Sequence, residues 1–174
     1  FSINDIDRGG GGALYVAAGP TTILGSVFED NIVVQNSPAL GGALHLADGP
    51  ALIANSRFSR NFALQGGGAV YIEADEAVIA NSTFARNQSA SGVNTGSAIR
   101  VSRSTETDVT LANLIAWQNT GSLPPILGSE SGGSFTVNHS IVEGGWAGAG
   151  TNNLDTAPLY ADASNNDNPH QPAS

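Results

Sequence analysis

The chain is written in short alternating runs of apolar and polar positions. Leu14-Tyr15-Val16, Leu44-His45-Leu46, Val70-Tyr71-Ile72 and Ile99-Arg100-Val101 each set aliphatic residues on either side of a polar, aromatic or cationic one. Alternation with period two predicts strands that bury one face and turn the other outward. Gly, Pro, Asn and Asp punctuate the runs, and no apolar stretch keeps a helical period for more than about one turn.

The runs recur in register with their flanks. Gly11-Gly12-Ala13-Leu14 returns as Gly41-Gly42-Ala43-Leu44, Gly67-Gly68-Ala69-Val70 and Gly96-Ser97-Ala98-Ile99, at spacings of 30, 26 and 29 residues. A second module, Ile53-Ala54-Asn55-Ser56-Arg57-Phe58-Ser59-Arg60-Asn61, returns at Ile79 to Asn87, with weaker copies at Ile23 to Asn31, Leu111 to Asn119 and Thr136 to Gly144. The opening Phe1-Ser2-Ile3-Asn4 matches Phe28 to Asn31, which is half a module. Units of this length cannot bury an apolar face alone and must stack on one another. The pattern predicts an all-β chain, a right-handed parallel β-helix of five to six coils with 26–32 residues per coil. A leucine-rich horseshoe shares the period, but its Leu-x-x-Leu-x-Leu spacing and its helix signal are missing.

In stacked coils a repeated residue becomes a column along the solenoid. Two structural Asn ladders are expected at turns, one of Asn31, Asn61, Asn87 and Asn119, the other of Asn55, Asn81, Asn113 and Asn138. Phe28, Phe58 and Phe84 form an aromatic core column, and the Gly pairs read as tight turns rather than a phosphate loop. Asn81, Asn87 and Asn138 open N-glycosylation sequons, which an inward ladder residue could not use. Asp30, Arg60, Arg86 and Gln118 make an outward column in which an Asp30–Arg60 ion pair would contribute little.

Composition narrows the chemistry. The net charge is −9 and every cation is Arg, so no basic patch suits nucleic acid. There is no Cys, which excludes disulfides, thiol catalysis and thiolate metal sites, and no Met, as in a chain processed or excised from a longer one. No stretch reaches the ~18–20 apolar residues of a membrane span.

One outward row carries candidate ligand-binding chemistry. Tyr15, His45, Tyr71 and Arg100 are predicted on one exposed sheet face, a coil apart, as flat or cationic side chains that suit sugar rings. Asp48, Glu73, Asp75, Glu76, Arg103 and Glu106 follow in the adjoining turns. No cofactor is called for. Asp48, Glu73 and Asp75 are the weak candidates for a Ca²⁺ contact, and the three His residues show no metal spacing.

On its Gly-Gly-Ala-Leu and Phe-x-x-Asn modules the chain resembles the secreted bacterial right-handed parallel β-helix repeat proteins. These include polymorphic outer-membrane autotransporter passengers. Asn138 to Trp146 followed by Asn153 to Asp162 resembles the closing segment of β-helix proteins with a C-terminal surface anchor, with Ala157 and Tyr160 standing where that group has Asp and Phe. The resemblance implies a secreted or cell-surface protein, but its motifs are scaffold residues and transfer no catalytic role.

The expected organisation is repeats over 1–144, starting mid-coil, and an irregular cap or linker over 145–174. The expected function is a structural or adhesive module. It binds polysaccharide or cell-surface glycan, or self-associates head to tail into fibres. The alternative is a lyase or glycoside hydrolase acting on an acidic polysaccharide, with Asp48, Asp75, Arg100 and Arg103 as the catalytic set and carboxylates roughly 6.5–9.5 Å apart if it inverts.

Overall fold

The computed structural model describes residues 5–6, 10–34, 39–74, 76–90, 96–101, 107–121, 127–129 and 133–158. Phe1 to Asn4 and the tail from 159 lie outside them, as do Asp75, Arg103 and Glu106. The described residues are strands and turns in four parallel sheets. The first sheet stacks Leu14–Val16, Leu44–Leu46, Val70–Ile72, Ile99–Val101 and Leu127–Ser129. Thr21–Leu24, Ala51–Ala54, Glu76–Ala80, Thr107–Ala112 and Gly133–Asn138 make the second. Val27–Glu29, Arg57–Ser59, Thr83–Ala85, Ile115–Trp117 and Ile141–Val142 make the third, and Asp5–Ile6, Ile32–Val33, Phe62–Ala63 and Gln88–Ser89 the fourth. The chain visits the sheets in turn, which makes a β-solenoid of about four turns, fewer than the five to six coils expected.

Register follows the sequence alignment. Leu14 pairs with Leu44, Leu44 with Val70 and Val70 with Ile99. Asp5 lies beside Ile32, as the match of Phe1–Asn4 to Phe28–Asn31 requires. Inward aliphatics fill the interior, and Phe28, Phe58 and Phe84 stack face to face with centroids 4.8 and 4.7 Å apart. That separation is the coil spacing itself, so one aromatic per coil packs against its copies without a gap.

Two corners of each coil need left-handed backbone. Asp30, Arg60, Arg86 and Gln118 hold φ of 54–57° at the corner between the third and fourth sheets. Asn31, Asn61, Asn87 and Asn119 follow them, buried, as a continuous amide ladder. The Asn87 Nδ2 donates to Asn119 Oδ1 at 2.9 Å and to the Phe58 carbonyl at 3.0 Å, while its Oδ1 accepts from the backbone N and Nδ2 of Asn61. All four bonding positions of the amide are filled.

The other Asn column differs from the expectation. Asn55, Asn81 and Asn113 are exposed and sit in the left-handed region themselves, where a short amide side chain is tolerated. Asn113 donates to Asn81 at 3.0 Å at the surface. Asn138 does not belong to this column: it pairs with Ala112, and His139 takes the corner with φ of 51°. The inward ladder at this corner is made by serines. Ser56 Oγ accepts from the Ser26 backbone N and donates to the Ala54 carbonyl, and Ser82 Oγ accepts from Ser56 N.

Past the last strand the chain does not complete a coil. Thr136 bridges Ala149 and Ile141 bridges Leu154, both 13 residues on, where a full coil takes 26. The segment cuts across the end of the solenoid instead. Trp146 packs against the core with its ring edge-on to Phe135 at 6.0 Å, and Asn153 extends the serine ladder by accepting from Ser140 N.

Candidate functional site

The middle positions of the first-sheet strands form the expected row. Tyr15 lies beside His45, His45 beside Tyr71 and Tyr71 beside Arg100, and Gly128 continues the line. The His45 ring stands edge-on between both tyrosines, at 4.9 Å from each. Its Nε2 meets Glu73 Oε2 at 2.9 Å, and the Tyr71 hydroxyl donates to Glu73 Oε1 at 3.2 Å. The Arg100 guanidinium lies 5.6 Å over the Tyr71 ring and donates to the Gln65 carbonyl at 2.6 Å.

The expectation that the row stands open to solvent is corrected at two positions. Tyr15 is 52% exposed, but His45 and Tyr71 are each only 4% exposed. Their cover comes from the turn that follows Tyr71 and from a neighbouring coil. Glu73 closes over both, and a Cβ at residue 10 would collide with His45 Nδ1, so the Gly10 backbone lies directly on the ring nitrogen. Nδ1 has no hydrogen-bond partner among the described residues, and the close backbone leaves no space for a ligand there. Burial pushes the Arg100 guanidinium below its ordinary pKa, while the Tyr71 and Glu73 charges act in the opposite direction.

Of the carboxylates expected as catalytic or metal candidates, Asp48 and Glu73 are among the described residues and Asp75 is not. Asp48 is exposed and accepts from the Gly49 backbone N at 2.9 Å, a turn contact. Glu73 is occupied by His45 and Tyr71. Asp75 and Arg103, the other two residues of the expected catalytic set, lie outside the described residues. No three His, Asp or Glu side chains converge as a metal centre among the described residues, and no helix there is long and apolar enough to cross a membrane.

A second feature, only partly visible in the sequence, runs along the outer face of the third sheet. Arg60 grips the Asp30 carboxylate across one coil with two bonds, Nε to Oδ1 at 2.7 Å and Nη2 to Oδ2 at 2.8 Å, and also reaches Glu29 at 2.8 Å. The Asp30 hydrogen bond is the main cause that raises the Arg60 pKa. Arg57 approaches Glu29 only at 3.6 Å. Arg86 donates to the neutral Gln118 amide at 2.9 Å. Arg57 and Trp117 belong to this face through the alternation around Phe58 and Ala116, a signal present in the sequence. Compared with known proteins, the chain matches no family model, no curated protein and no solved structure.

Proposed function

We propose that the chain is an extracellular or cell-surface β-helix module, structural and adhesive, that binds glycan along its side. The observation that supports this reading is the period of the solenoid. Lateral rows recur once per coil, so a polymer of repeated units meets a surface of matching repetition. The inward recurrent residues are used up in coil-to-coil ladders and leave the lateral side chains for contact. The resemblance to secreted bacterial β-helix repeat proteins supports placement outside the cell. Trp146 lies across the final coil, which counts against head-to-tail fibre growth at that end and favours glycan binding over self-assembly.

Of the row Tyr15, His45, Tyr71 and Arg100, the accessible Tyr15 ring is the proposed ligand contact, with the buried His45 ring edge-on against it. The test is a glycan array probed with the wild-type chain and with Tyr15→Ala. Wild-type binding that Tyr15→Ala weakens, with thermal unfolding shifted by no more than a few degrees, supports the row. Undiminished binding by the variant removes the row from the ligand surface, and a wild-type chain that binds no glycan overturns the function.

A further inference from the structure

We infer that the outer face of the third sheet is a binding ledge for a uronic-acid polysaccharide, in which Arg57 and Arg86 take the sugar carboxylates and Trp117 stacks under a sugar ring. The inference rests on the glycan-binding reading and gives it a ligand class and a second face.

The charge distribution supplies the first argument. Arg57, Arg60, Arg86 and Arg100 are the cations of the described residues, and all but Arg100 stand on this one edge, beside the carboxylates of Glu29, Asp30 and Glu143. Their engagement is unequal. Arg60 is bound on two sides by Asp30 and Glu29. Arg57 is 52% exposed with a loose approach to Glu29, and the exposed Arg86 has a neutral amide as its partner. Two guanidinium groups are therefore free to meet an anion, and they stand on the order of 10 Å apart, a few residues along and one coil across. One oligosaccharide reaches both.

The shape of the face supplies the second argument. Arg57 and Thr83 are in register, as are Ser59, Ala85 and Trp117 on the neighbouring row. Trp117 flanks the buried Ala116 and so points outward, half-buried, beside the methyl group of Ala85. A large flat ring next to the smallest side chain makes a step on which a pyranose can lie. Arg86 follows Ala85 directly and its backbone N donates to the Trp117 carbonyl at 3.3 Å, which sets a cation at the edge of that step.

A carboxylate is the anion this corner already accommodates. Arg60 holds Asp30 by the two-pronged geometry in which a planar guanidinium matches a planar carboxylate. Two free arginines are too few to support nucleic-acid binding.

The experiment titrates an oligogalacturonate and its methyl ester into the wild-type chain and into Arg57→Gln, Arg86→Gln and Trp117→Ala. Gln118 holds the corner of the next coil with φ of 56°, so Arg86→Gln keeps a side chain that the corner accepts. The expected result is binding of the acid, at least about 10-fold weaker binding of the ester, losses of about 10-fold or more in Arg57→Gln and Arg86→Gln, as one charge-assisted contact is worth, and a loss of about 3-fold or more in Trp117→Ala, as one aromatic contact is worth. Unfolding temperatures of the two Gln variants should match the wild type. Equal affinity for acid and ester, unaltered binding by both Gln variants, or equally tight binding of a polyglutamate peptide would overturn the inference while leaving glycan binding intact. A wild-type chain that binds neither these nor any neutral glycan overturns both.

Discussion

Asn81 and Asn87 are two asparagines of one coil, and their surroundings give them opposite consequences. Asn87 is buried with its amide fully bonded, so its removal strands the Phe58 carbonyl and the Asn61 backbone N away from water. Asn87→Ala should cost about 3 kcal/mol, since each orphaned buried group costs about 1–3 kcal/mol. Asn81 is exposed and is needed chiefly for its φ of 50°, a conformation that glycine adopts freely and that Gly25 already supplies in the first coil. Asn81→Gly should stay within about 0.5 kcal/mol of the wild type, the range of most surface substitutions. Denaturant titration of both variants checks the contrast, and equal losses would refute the division into an inner and an outer column. Asn residues at turns were legible from the repeats, but their burial was not. A left-handed corner accepts Asn, Arg, Gln, Asp and here His139, so residue type alone left Asn138 one position out of place.

At the scale of the element, strands were legible wherever the Gly-Gly-Ala signature preceded an alternating run. The fifth strand of the first sheet, Leu127–Ser129, has no such signature and Leu127 as its one apolar side chain, so nothing local marked it. It forms because Ile99–Val101 offers an unpaired edge one coil away. The cover over His45 and Tyr71 escaped for a related reason. Period two fixes which face a residue takes, but Glu73 and Gly10 reach that face from a turn and a neighbouring coil. The register is open to a direct chemical test because the chain has no cysteine. Leu52 and Val78 are aligned neighbours on the outer face of the second sheet. Leu52→Cys with Val78→Cys should oxidise readily to a disulfide, since adjacent strands lie about 4.8 Å apart, inside the usual Cα range. Leu52→Cys with Ala80→Cys, two residues out of register, should stay reduced under the same conditions. Oxidation of the second pair in preference to the first would contradict the register.

At the scale of the whole molecule, a stack of about four turns is proposed to meet a ligand that repeats. The fold does this economically: its recurrent inward residues bind coil to coil, and its lateral rows carry the sequence that differs from coil to coil, with aromatic and cationic side chains on two faces. Function was less legible than fold because inward positions repeat in residue type, whereas lateral positions recur once per coil with side chains that differ. Affinity measured against glycan chain length tests the central claim most directly. A lateral lattice predicts affinity that rises with oligosaccharide length and levels off once the ligand spans five stacked strands, about 20 Å at roughly 4.8 Å per coil. Affinity that is the same for a disaccharide and a long oligomer would place any site at a single point and contradict the account.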